Sequence, residues 1–225
     1  MTTPVDGRRA RGDRSRQAVL AVAVRRASTD GLNGVSIAQL AAETGASKSG
    51  VAALFGSKEQ LQLAIVADAK RVFTEVVVEP ARIHPRGLLR LRALVRAWID
   101  YSSGRTFPGG CFFLAVSAEF ASHPGPVHDA ISEAMHLWRS YLDISIAQAM
   151  DDGDLPQLQD APQLSFELEA LLSQANRTSL MHGGDQAYRR AERAIVERLR
   201  DLGAEDASLE IELGPRPALG SAASV

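Results

Sequence analysis

Apolar side chains return every three or four positions through most of this chain, the period of one face of an α-helix. Leu20, Ala23, Val24 and Ala27 form the first stripe. Asp13 or Ser15 can cap its helix, which the pattern carries to Thr29, and Asp30-Gly31 and Asn33-Gly34 supply the turn that ends it. Ile37, Leu40 and Ala41 then share a face, as do Val51, Leu54 and Phe55. Ser36 followed by Gln39 has the form of a capping box, Gly45 suits the left-handed conformation that ends a helix, and Ser47 can cap a second one. The stretch Val35–Phe55 therefore reads as two short helices joined by a tight turn, a helix-turn-helix.

Ser57, with Gln60 at the reciprocal position and Glu59 in the first turn, caps a longer helix carrying Leu61, Ile65, Ala69, Val72 and Val76, which Pro80 is expected to stop. The second half continues in the same period. Leu88, Leu91, Leu94, Val95, Trp98 and Ile99 form one stripe, and Thr106-Phe-Pro-Gly-Gly110 interrupts it. Cys111–Phe120 is apolar nearly all round, which predicts a short helix buried on most sides. After His123-Pro-Gly-Pro126 come a stripe from Val127 to Ile146, a stripe of Leu164, Leu168, Leu171, Leu172 and Ala175, and a stripe of Ala187, Ala191, Ala194, Ile195, Leu199 and Leu202. No segment alternates with the period of a strand. The pattern predicts an all-α protein of about nine helices: a three-helix unit with a helix-turn-helix at 14–60, a helical body at 61–203, and a tail rich in Ala, Gly, Ser and Pro at 204–225 that should be mobile.

Charge sharpens the division. Residues 1–60 hold seven Arg and two Lys against five acids, a net of +4, so the remainder of a chain of net charge −2 carries −6. Arg8, Arg9, Arg11, Arg14 and Arg16 crowd the amino end, where residues 1–13 are expected to be a flexible basic arm along phosphates or in a minor groove. A basic end on an acidic body points an anion-binding surface at the helix-turn-helix. The longest wholly apolar run, Ala18–Val24, is too short to span a bilayer, and no secretory leader is evident. The single cysteine, Cys111, fits a reducing cytoplasm.

Residues 14–61 resemble the DNA-binding domain of the tetracycline-repressor (TetR/AcrR) family of bacterial transcription factors. The features that carry the resemblance are Leu20-Ala-Val-Ala, Gly31-Leu-x-Gly-Val-Ser-Ile-Ala-x-Leu-Ala41, Gly45-Ala-Ser-Lys-Ser-Gly50 and Phe55-Gly-Ser-Lys-Glu-x-Leu61. The chain departs from the family at Ala52 and Ala53, where an aromatic pair is usual. The resemblance implies a homodimer packed through the last two long helices, a palindromic double-stranded DNA operator, and a small hydrophobic effector. Effector occupancy in the C-terminal body would move the two DNA-binding units apart and release the operator, most often as a repressor. No cofactor and no enzymatic activity are implied.

Ser36, Lys48 and Lys58, with the amides that open the second, third and fourth helices, are the candidate phosphate contacts, joined by Arg14 and Ser47. Ser49, Ala52 and Ala53, with Lys48 shared, are the candidate base readers, and Gly50 can bring the backbone close to DNA. The two alanines either pack on thymine methyls or serve as neutral helix formers. The candidate effector contacts are Trp98, Tyr101, Phe113, Ser117, Phe120, Met135, Trp138, Phe166 and Asn176, although aromatic and Met residues at helical spacing also make ordinary core. Cys111, His123 and His128 match no strong metal signature, and Walker, Gly-x-Ser-x-Gly and His-Glu-x-x-His motifs are absent from the sequence. The competing reading is a helical interaction protein, or a redox or metal sensor at Cys111, that binds DNA weakly or not at all.

Overall fold

A computed structural model describes residues 4–210, with the side chains of residue 10 and residues 12–209. Every segment of regular structure within it is helical. All nine expected helices are present: α1 (Pro4–Gly34), α2 (Ile37–Thr44), α3 (Lys48–Phe55), α4 (Lys58–Phe73), α6 (Leu88–Ser103), α7 (Phe112–Phe120), α8 (Pro126–Asp151), α9 (Ala161–His182) and α10 (Gln186–Asp201), with the short α5 (Glu79–Arg82) and α11 (Asp206–Glu210) in addition.

Three boundaries differ from the sequence expectation. Helix α1 begins at Pro4, not at Asp13 or Ser15, so residues 4–13 are helical. Proline suits a first helical turn because its missing N–H would be unpaired there anyway, and the Arg and Ala that follow are good helix formers. Helix α4 does not stop at Pro80. A wide π-helical turn at Thr74–Val78 precedes the proline, and the helix resumes as α5 with Pro80 in its first turn. The widened turn displaces the carbonyl that a proline ring would otherwise strike. Residues 206–210 form α11 with Leu209 buried, whereas the tail was expected from 204; residues 211–225 lie outside the described part.

The chain divides into two compact units. The first comprises the described residues to Val72 together with Phe107–Ala134. Its core joins Leu20, Ala23, Val24 and Ala27 of α1 to Leu40, Val51, Phe55, Leu61 and Ile65, all buried, and α7 adds Phe112, Phe113 and Val116. Long-range packing of α7 on α1, which no local pattern announces, brings Phe107–Ala134 into this unit. Helix α7 is less enclosed than its composition suggests, since Phe120 is half-buried and Ala118 exposed.

The second unit comprises Phe73–Thr106 and the described residues from Met135 onward. Phe73 meets Tyr101 and Trp138 edge to face, each at 5.3 Å between ring centroids. Leu164, Leu168, Leu172 and Ala175 of α9 and Ala191, Ile195, Leu199 and Leu202 of α10 are buried within the same chain. Each large apolar side chain so buried contributes ~1.5–3 kcal/mol. These stripes were equally compatible with a contact between subunits; here they are intrachain core.

Candidate nucleic-acid interface

The helix-turn-helix is built by its caps. The Ser36 hydroxyl accepts the Gln39 amide at 3.3 Å, and the Gln39 side chain accepts the Ser36 amide at 3.2 Å, the reciprocal pair expected from the sequence. Gly45 ends α2 with φ 66 and ψ 14. Ser47 opens α3 and accepts the Gly50 amide at 3.0 Å. Ser57 does the same for Gln60 at 3.1 Å. These hydroxyls satisfy amide hydrogens that helix starts leave without intrahelical partners.

Val51 and Phe55 turn inward, and the opposite face of α3 shows Lys48, Ser49, Gly50 and Ala53 to solvent, with Ala52 half-buried. The sequence-predicted face is therefore assembled in one place. It is small and smooth, with Lys48 as its charged member, at the N-terminal end of the helix where free amides and the dipole favour anions. Gly50 has a second role that sequence did not suggest. A Cβ there would sit 3.0 Å from the Ser47 hydroxyl, so the glycine makes room for the cap.

Beside this face runs a groove of 470 Å³ between α1 and the turn, bordered by Gly12, Ser15, Ala18, Thr44, Ser47 and Gly50. Small residues on both sides keep it open. Arg14 is exposed, its Nε donating to the Ala10 carbonyl at 3.3 Å. Arg16, expected among the arm residues, is engaged inside the unit: Nη1 donates to the Leu54 carbonyl at 2.6 Å, and the guanidinium lies 4.6 Å from the Phe55 ring centroid. It caps the carboxyl end of α3, where a cation opposes the helix dipole. Arg8, Arg9 and Arg11 fall outside the residues whose side chains are described. Lys58 is exposed, but its ammonium donates to the Asn33 carbonyl at 3.0 Å, so it is held against the end of α1 with two hydrogens to spare.

The effector candidates fall in both compact units. Phe113, Ser117 and Phe120 belong to the first unit, and Trp98, Tyr101, Met135, Trp138, Phe166 and Asn176 to the second. Phe166 is 60% exposed, because it falls off the Leu164–Leu168–Leu172 stripe onto the outer face of α9. Tyr101 and Trp138 sit in the aromatic cluster with Phe73. Asn176 accepts from the Ser102 hydroxyl at 2.8 Å, and Ser102 also bonds Tyr188 at 2.8 Å. Arg105 extends this buried network, donating to the Ser179 hydroxyl at 2.8 Å. Sequence reasoning missed Ser102, Tyr188 and Arg105, since only the fold brings α6, α9 and α10 together. Among the described residues no His, Cys, Asp and Glu cluster has the form of a metal site, and Cys111 is buried. No helix of the described residues is long and apolar enough to cross a membrane.

Residues 19–65 match the family model described as bacterial regulatory proteins, tetR family, and residues 87–195 match that of the tetracyclin repressor-like C-terminal domain. No curated protein matches the chain. Among solved structures, a TetR transcriptional regulator from Chloroflexus aurantiacus J-10-FL superposes with a TM-score of 0.79 at 21% identity, over 85% of this chain and 96% of that one. AibR in complex with isovaleryl coenzyme A and operator DNA gives 0.67 at 21% identity, over 81% and 97%. A regulator from Saccharomonospora viridis in complex with choline gives 0.69 at 22% identity, over 84% and 96%.

Proposed function

The chain belongs to the TetR family of transcriptional regulators, and from that premise we propose that it is a homodimeric repressor, released from a palindromic operator by a small hydrophobic effector. The observation that carries this reading is the capped helix-turn-helix with Lys48, Ser49, Gly50, Ala52 and Ala53 on one side of α3. Lys48, Ser36, Ser47 and Arg14 hold phosphates and set register; Ser49, Ala52 and Ala53 meet base edges. Lys58 reaches phosphate with the hydrogens that Asn33 leaves over. The groove beside α3 gives a sugar-phosphate ridge room to approach.

The dimer face follows from what the core leaves outside. Phe166, Leu180 and Met181 are 60%, 44% and 74% exposed and lie on the outer side of α9 with Ala170. The outer side of α10 carries Arg189, Arg190 and Arg193, so α9 supplies the apolar part of the contact. A two-fold dimer doubles the DNA contact and calls for a palindromic site. The effector site belongs to the second unit, around Tyr101, Trp138 and the Ser102–Asn176 pair. The fold relatives in complex with isovaleryl coenzyme A and with choline support a small-molecule effector without narrowing its class.

Fluorescence anisotropy with a duplex from the DNA flanking the gene tests this reading. Salt-dependent binding that saturates is expected; absent or salt-insensitive binding would favour an interaction protein. Lys48→Ala should weaken binding to all sequences and lower the salt slope by about one unit, as for one lost phosphate contact. Both tryptophans, Trp98 and Trp138, lie in the second unit, so their emission should change when an effector binds.

A further inference from the structure

In the first unit the last turn of α1, set off by a kink at Gly31 and leading into the helix-turn-helix, is held by a residue 86 positions away in sequence. The Glu119 carboxylate, on α7, accepts the Leu32 amide at 2.7 Å and the Asn33 amide at 2.8 Å. Each oxygen takes one amide, a forked geometry that fixes both direction and distance. Gly31 makes the approach possible. It adopts φ 74, and a Cβ there would lie 2.7 Å from a Glu119 carboxylate oxygen. A second fastening lies nearby, where the Gly109 amide donates to the Ser28 hydroxyl at 3.1 Å and a Cβ on Gly109 would strike the Ser28 carbonyl at 1.8 Å.

Asn33 passes the constraint onward. Its side-chain oxygen accepts the Gln62 side-chain Nε2 at 3.0 Å, and its backbone carbonyl accepts the Lys58 ammonium at 3.0 Å. The helix-turn-helix is thus bracketed: the turn before α2 and the start of α4 meet at Asn33, and Asn33 hangs from Glu119. The two charge-assisted bonds add direction to the contact that the buried core makes.

We propose that Glu119 is a positioning residue for DNA binding, fixing through Asn33 both the entry to the helix-turn-helix and the place of the Lys58 ammonium. This role rests on the DNA-binding function proposed above.

The test uses the full-length chain with Glu119→Ala and Glu119→Gln; the glutamine keeps one acceptor and covers the case in which alanine fails to fold. Hydrogen exchange should quicken at Leu32, Asn33 and residues 57–62 in both variants and stay unchanged in α9 and α10. Affinity for the flanking duplex, and for a random-sequence duplex at low salt, should fall about tenfold in Glu119→Ala, as for lost charge-assisted bonds, with Glu119→Gln intermediate. Unchanged exchange at Leu32 and Asn33 overturns the clamp. Wild-type affinity in a folded Glu119→Ala overturns its role in DNA binding alone. A wild type that binds neither duplex removes the regulator function, and this role with it, whatever the exchange shows.

Discussion

Arg16 shows how a residue's surroundings can reassign it. Its charge suggested a phosphate contact, yet its guanidinium bonds the Leu54 carbonyl and stacks on Phe55. Arg16→Ala removes a charge-assisted bond and a cation–π contact, and should lower stability by about 1–2 kcal/mol. The urea midpoint measures this; Arg16→Lys should be intermediate, since an ammonium keeps the charge but not the planar stack. An unchanged midpoint for the alanine variant would sink the capping role. At the other end of the motif, Ser36→Ala removes half of a capping box and should cost about 1 kcal/mol. Gly50→Ala should cost stability also, because its Cβ crowds the Ser47 hydroxyl, although alanine is the better helix former.

At the scale of elements, α9 faces two ways. Its inner side meets α10, where the Glu167 carboxylate accepts Arg198 Nε at 2.7 Å. The bonds from Arg198 and from Gln163 hold the Glu167 carboxyl below its ordinary 4.5. A carboxyl lowered in the folded state contributes stability above its unfolded value and loses it as the pH falls through the lowered one. Glu167→Gln should therefore cost about 0.5 kcal/mol at pH 7, the scale of a partly exposed pair, and progressively less below pH 4.5. Thermal unfolding at a series of pH values shows whether the gap closes. Glu169 runs the other way: burial raises its carboxyl despite the bonds from Arg139, so its ionised form weighs against the fold as the pH rises.

The outer side of α9 decides the next scale, the whole molecule. Phe166→Glu together with Met181→Glu should shift the mass in solution from dimer to monomer while helical content stays the same. Sedimentation measures the first and circular dichroism the second; a double variant that stays dimeric moves the interface elsewhere. In the wild type the unfolding temperature should rise with protein concentration, as mass action requires when the folded state associates. The two copies of α3 should then address half-sites about one helical turn apart, ~34–36 Å.

Much of this was legible in the chain because it is local. Helices, caps and turns depend on neighbours within four residues, so Ser36, Gly45, Ser47 and Ser57 declared themselves, and so did the face of α3. Proline proved ambiguous for the same reason: Pro80 was judged by its immediate neighbours, while a preceding π turn accommodates it in the first turn of α5. Tertiary structure alone decided the packing of α7 on α1, the inward assignment of the α9 and α10 stripes and the engagement of Arg16. It alone brought Glu119 to Leu32 and Asn33. These facts depend on which surfaces meet across long separations. A hydrophobic period tells a residue that it must be covered, and says nothing of what will cover it.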